Sequence, residues 1–358
     1  MTAHGDRADA VVREARRIAD EILFPRALPT DAAGLVPKAN LDVLADAGLY
    51  GLAGPEEAGG SGVDLPTACR VFETLAGGCL TTAFVWAQHH GAVAALSADD
   101  APATLRAEWL VPLCRGERRA GVSFAGLLPR AAVLAREVDG GWILDGTAPW
   151  VSGWGRVDVI HASARTDADA ADGGTIVRAL IDAEAGAGLT VEPLRLVAVD
   201  ASGTVTVRFD GYFVPFERVT GMQAYEEWAA RDASFLRMNG SFALGVAGRS
   251  LRLLGPSALD DELVSVRDGL DEAAPDVMPA ARARASEFAL RATTTLVVSE
   301  GARAVVVDHH AQRLAREALF LLVFGSRAPI RTALIERLAR GTGRDEMPMG
   351  HNGRGRRR

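Results

Sequence analysis

Apolar positions recur along this chain with two periods, and the period changes twice. Near the N-terminus Val11, Val12, Ala15, Ile18, Ala19 and Ile22 fall at helical spacing with Arg and Asp between them. Pro25 predicts the stop, because proline disfavours helical backbone at the residue before it, Phe24. A short helix is predicted over Leu41 to Ala47, ending at Gly48. The stretch Ala53 to Gly62, with four glycines and a proline, predicts a loop. Helical composition returns from Leu65 to Ser97 and again from Ala103 to Cys114.

The middle of the chain alternates instead. Trp142-Ile143-Leu144 follows the turn Asp139-Gly140-Gly141, Val157 to Ala162 and Thr175 to Ile181 read as strands, and Thr204 to Phe209 alternates up to the turn Asp210-Gly211. Short strands without long helices between them predict an antiparallel sheet or barrel. Helical spacing resumes from about Tyr225: Leu236 to Leu254, stopped by Gly255-Pro256, then Met278 to Phe324, then Ile330 to Arg340. The end, 341–358, has no apolar period and closes on four arginines in five residues, which predicts a disordered basic tail.

Composition narrows the class. The 358 residues are 48% hydrophobic and 24% charged, an ordinary globular balance, and the net charge of −7 is the reverse of a general nucleic-acid binder. Cys69, Cys79 and Cys114 have neither zinc-site nor disulfide spacing and are expected to be buried thiols in a reducing compartment. The N-terminus has no apolar signal region and the apolar run Ala318 to Phe324 is far shorter than a membrane span, so the expectation is a cytoplasmic protein without membrane or nucleic-acid partners. Asp308-His309-His310 and His89-His90 are expected to be structural rather than metal-binding.

Four segments resemble the acyl-CoA dehydrogenase family. They are the loop Gly48 to Asp64 with its Pro55-Glu56-Glu57 and Gly59-Gly60; Trp142 to Gly146 followed by Trp150-Val151-Ser152; Phe209-Asp210-Gly211 with Val214-Pro215; and Ala243-Leu244-Gly245. The resemblance implies an α+β fold: an N-terminal helical domain (1–118), a middle antiparallel β-barrel-like domain (119–222) and a C-terminal four-helix bundle (223–340), before the tail (341–358). It implies FAD as cofactor, an acyl thioester as substrate, and a homo- or hetero-oligomer with a related chain.

Residue by residue, the resemblance places Trp150 beside the flavin and Ser152 at the N5 side of its ring. Phe124, Gly126 and Leu127 fall where the family contacts the pyrimidine edge, although Leu127-Leu128 replaces the Thr-Glu of that motif, removing a side-chain hydrogen bond of about 1 kcal/mol. Ser326 falls in the turn that follows the family's catalytic glutamate, and Phe324 stands in the place of that glutamate, where it cannot accept a proton. Arg237 either meets a nucleotide phosphate of the thioester or lies on a solvated helix face. The family's arginine after the first bundle helix and its Gln-x-x-Gly-Gly-x-Gly loop are both missing. Three functions follow: an acyl-CoA dehydrogenase-like oxidoreductase of lipid metabolism catalysing α,β-dehydrogenation, a non-catalytic partner subunit, and a flavin-dependent monooxygenase on the same fold. Thioester binding without redox chemistry is a weaker fourth.

Overall fold

A computed structural model describes residues 3–167, 170 and 173–340; the basic tail lies outside the described residues. The N-terminal part holds α1 (Ala3–Arg17), which runs into a π-helical turn at Ile18–Leu23, then α2 (Ala27–Ala32) and α3 (Lys38–Asp46). The helical block expected over Leu65 to Ser97 is three helices: α4 (Leu65–Gly78), α5 (Leu80–Ala87) and α6 (His90–Ser97). Asp64 caps α4 by accepting from the Thr67 N–H at 2.9 Å. Cys79, with φ of −151°, breaks the helix and redirects the chain into α5. α7 (Ala103–Cys114) has the predicted bounds.

Among the described residues eight strands follow: β1 (Ala120–Ser123), β2 (Val133–Val138), β3 (Gly141–Val151), β4 (Val159–Arg165), β5 (Thr175–Asp182), β6 (Leu189–Pro193), β7 (Val205–Pro215) and β8 (Val219–Ala224). Their order is β6-β7-β3-β2-β4-β5-β8, with β1 beside β4. The helix–sheet–helix order is the expected one, but the sheet is open rather than closed. It is also mixed, because β1 and β2 each meet β4 in parallel. β1, β2, β6 and β8 were not foreseen. The Thr206–Phe209 segment pairs on both sides, with β3 and β6, which puts Val205, Val207 and Phe209 in the sheet's own apolar cluster with Trp142, Ile160 and Val177.

α8 (Tyr225–Ala229) leads into α9 (Leu236–Leu254), α10 (Leu259–Asp271), α11 (Met278–Glu300), α12 (His310–Val323) and α13 (Ala328–Arg340). α9 stops where Gly255 takes φ of 88°. The apolar faces of this bundle join those of the N-terminal helices in one core: Ile18, Leu23, Phe72 and Trp86 pack in the same cluster as Phe242, Leu244, Phe288 and Leu314. The three cysteines are buried free thiols. No helix among the described residues is long and apolar enough to cross a membrane.

Candidate active site

α5 is where sheet, N-terminal helices and bundle converge. A Cβ added to Gly153, just past β3, would lie 3.4 Å from Val85. The neighbouring Phe84 meets the rings of Phe320 and Phe324 at centroid distances of 5.3 and 5.2 Å. The end of β3 and the end of α12 thus sit on either side of one helix.

On the sheet side, Trp150 has φ of 62°, the left-handed region that β-branched and bulky residues avoid. It occupies a bulge, since Ala148 and Val151 of β3 pair with Val207 and Val205 of β7. The indole is 62% exposed, so burial does not compensate the strain of ~1–3 kcal/mol. Pro149 was the sequence signal: proline within a strand marks a bulge or an edge. Behind Trp150 the chain is fixed. Ser152 is buried, and its Oγ lies 2.8 Å from Thr204 Oγ1, which in turn lies 2.7 Å from Ser202 Oγ. The N–H groups of Gly153 and Trp154 donate to the carbonyls of Ser202 and Gly203 at 2.8 and 3.1 Å.

The segment after β1 divides its groups. Phe124 is exposed, but the Gly126 N–H donates to Ser163 Oγ at 3.2 Å and the Leu127 N–H to the Phe124 carbonyl at 2.9 Å. Position 126 admits only glycine, because a Cβ there would lie 2.7 Å from the Ala164 backbone. Leu127 is buried. Arg165 donates to the carbonyls of Leu128 and Pro129 and stacks on Tyr225 with its guanidinium carbon 3.9 Å from the ring centre.

On the bundle side, Phe324 is ringed by Phe84, Phe242 and Phe320. Gly325 follows with φ of 60°, and a Cβ there would come 2.8 Å from Asn239 Nδ2. Ser326 Oγ is buried and has no hydrogen-bond partner among the described residues. Arg327 grips Asp232 through Nε and Nη2 at 2.7 and 3.1 Å, which removes the carboxylate nearest upstream of α9. Arg237 is 6% exposed, with Nε 2.6 Å from Asp271 Oδ1 and Nη1 2.9 Å from Ser241 Oγ. It is therefore neither on a solvated face nor free of an internal anion.

Two charged groups that sequence reasoning missed lie close by, and nothing in their spacing could have revealed their burial. Arg282 of α11 is 2% exposed and reaches Ser286 Oγ and, at 3.4 Å each, the carbonyls of Leu321 and Phe324. Burial pushes its guanidinium down to about 10, so it stays charged at neutral pH. Glu317 of α12 pairs with Arg313 at 2.5 Å. Burial raises its carboxyl above the usual range, with Arg313 opposing.

The histidines have structural partners. His89 accepts the Ala120 N–H at Nδ1 and lies 3.1 Å from the Leu113 carbonyl at Nε2, which fixes the neutral tautomer protonated at Nε2. His90 packs against Phe72 and Trp86. His309 caps α12 by accepting the Ala311 N–H at 3.2 Å, and His310 stacks on Phe24 at 4.1 Å.

Comparison with known proteins fits this architecture. Residues 5–117 match the family model described as acyl-CoA dehydrogenase, N-terminal domain. Benzylmalonyl-CoA dehydrogenase of Aromatoleum aromaticum is 29% identical over 267 residues, 69% of this chain and 66% of that protein. Butyryl-CoA dehydrogenase of Megasphaera elsdenii superposes with a TM-score of 0.77 at 19% identity, covering 94% of this chain and 97% of that one. Dibenzothiophene monooxygenase of Paenibacillus superposes with a TM-score of 0.75, also at 19% identity, covering 92% and 95%. Residues 5–117 thus carry the likeness to an acyl-CoA dehydrogenase N-terminal domain, and over a longer stretch the chain is similar to curated acyl-CoA dehydrogenases. It spans 66% of the length of the first of these curated relatives, 54% of isovaleryl-CoA dehydrogenase of Oryza sativa and as little as 39% of another.

Proposed function

We propose that the chain is a flavin-dependent oxidoreductase that holds FAD against Trp150 and acts on an acyl thioester by α,β-dehydrogenation. The observation that carries this reading is Trp150 itself, a strained, exposed indole on a braced strand end. Such strain persists where the surroundings over-determine it, and it clusters at ligand sites. The fit to a flavin is partial but specific. Trp150 and Phe124 offer exposed aromatic surface, and Ser326 offers a hydroxyl with unspent hydrogen-bonding capacity. Ser152 Oγ and the Gly126 N–H are used internally, so they brace the site rather than line it. When bound, FAD supplies the two-electron acceptor. The chain's own part is to orient the ring at Trp150 and to exclude water with the phenylalanines around position 324. Assembly into an oligomer with a like or related chain, a soluble compartment and a place in acyl metabolism belong to the same proposal.

A second reading rests on Phe324. An aromatic ring wedged among three others offers no base for an α-proton. Flavin chemistry without that step, such as oxygenation, or a partner-subunit role accommodates it.

Reconstitution with FAD separates these readings. Purified protein should take up FAD and show a flavin spectrum, and anaerobic acyl-CoA should bleach it. Protein that stays colourless with excess FAD would remove both enzyme readings. Trp150→Gly should weaken FAD binding by roughly tenfold while leaving stability unchanged or raising it by ~1 kcal/mol, because glycine accepts the left-handed backbone. Loss of stability without loss of FAD affinity would assign Trp150 to packing alone.

Phe324→Glu should confer or accelerate bleaching by acyl-CoA, at a stability cost of about 3 kcal/mol for the carboxyl placed among aromatic rings. The new carboxyl should titrate above the usual range, so the gain should grow as pH rises through neutrality. A folded, flavin-loaded variant with no gain would show that a thioester does not reach position 324, favouring the second reading.

A further inference from the structure

Arg282 stands out among the buried groups. It is 2% exposed, and among the described residues no carboxylate pairs with it. Its acceptors are Ser286 Oγ one turn along α11, the carbonyl of Leu321 in α12 and that of Phe324, the residue that ends α12. Ser286 Oγ donates to the same Leu321 carbonyl at 2.8 Å. Leu321 belongs to the last turn of the helix and Phe324 caps it; there the final C=O groups lack intrahelical partners and the helix carries partial negative charge. The end of α12 is thus the counter-charge of Arg282. Beyond it, Gly325 abuts Asn239 and Arg327 is tied to Asp232, so the turn from 321 to 327 is held from two sides.

We propose that Arg282, seconded by Ser286, is a positioning residue that locks the Phe324–Gly325–Ser326 turn into one backbone conformation at the candidate site. A buried cation costs desolvation that an apolar residue of like volume avoids, so fold stability alone does not explain it. The expense makes sense where one exact placement of a turn matters. The functional weight of that turn rests on the flavin reading above; the lock itself does not, and it is testable without any flavin.

The probe is 4-fluorophenylalanine placed at position 324, read by ¹⁹F NMR in the full chain without FAD, with a second label at Phe209 in the sheet core as control. The wild-type background should give one narrow resonance for position 324. Arg282→Met should shift or split it, or broaden it roughly twofold or more as the turn samples further conformers, while the Phe209 resonance and the melting temperature hold or the latter rises. Arg282→Lys, which keeps the charge but loses the fork, should fall between the two. Ser286→Ala should move the 324 resonance in the same direction by less. An unchanged 324 resonance in folded Arg282→Met overturns the proposal. If Arg282→Met does not fold, an unchanged resonance in Ser286→Ala overturns it. A change at 324 equalled at Phe209 overturns it too, since that marks general loosening. Failure of FAD uptake with the lock intact would count against the flavin reading and not against Arg282.

Discussion

Acidification from pH 6.5 to 5 should cost this protein several kcal/mol of stability, enough to bring it close to unfolding. Desolvation holds His90 down to about 3 and His161 down to about 4, the latter helped by the nearby Arg178. His89 is held well below its ordinary value by burial, with His90 and Arg119 adding to the effect. All three values lie below the ordinary 6.5 of an unfolded histidine. Between the folded and unfolded values the unfolded chain binds protons that the folded chain refuses, so stability falls as pH falls. It is fully present above about 6.5 and is lost on the way down towards 4. His90 and His161 each contribute a slope approaching ~1.4 kcal/mol per pH unit, with His89 acting in the same direction, against a total of ~5–15 kcal/mol. Urea midpoints measured at half-unit steps from pH 7.5 to 5 should drop steeply below 6.5. Replacing His161 by Gln, which keeps a hydrogen-bonding group beside Thr220, should flatten the slope by about 1 kcal/mol per pH unit. A midpoint that stays level down to pH 5 would refute the buried neutral assignment.

Arg313→Met alone should destabilise the fold by about 3–5 kcal/mol, whereas Arg313→Met with Glu317→Leu should be neutral or stabilising. The two side chains are 1% and 3% exposed and 2.5 Å apart, and Glu317 Oε2 has no partner among the described residues. Removing the cation strands a buried carboxylate; removing both charges releases their joint desolvation cost. A double-mutant cycle by chemical denaturation measures the coupling. Single and double variants of equal stability would show that the pair is more hydrated than its burial implies.

The elements most legible in the sequence were those whose signal is local. α9 announced both its apolar face and its Gly255-Pro256 stop, and β7 its alternation up to Phe209, although Asp210-Gly211, expected as a terminating turn, is a bulge within a strand that runs on to Pro215. α10 was missed because its opening acids, Asp260, Asp261 and Glu262, look like a solvated loop; in place they complement the positive end of the helix. β6 and β8 are short, and their pairing is decided by distant partners. The site divides along the same line. Trp150 and Phe324 were singled out by motif. Which way Ser152 and Arg237 would point was not readable, because Thr204 and Asp271 lie 52 and 34 residues away. The burial of Arg282 and Glu317 is likewise a property of helix packing that no charge pattern encodes.

Because the first helices and the last ones share a single apolar core, the ribosome delivers the two halves of that core far apart in time. At ~5–20 residues per second, the roughly 200 residues between the end of the N-terminal helices and the end of α12 take about 10–40 s to emerge. Throughout that interval faces such as Ile18, Phe72 and Trp86 have no bundle to cover them. The nascent chain is therefore a natural client for holding chaperones, and its yield on expression should be governed by that waiting period more than by the stability of the finished fold.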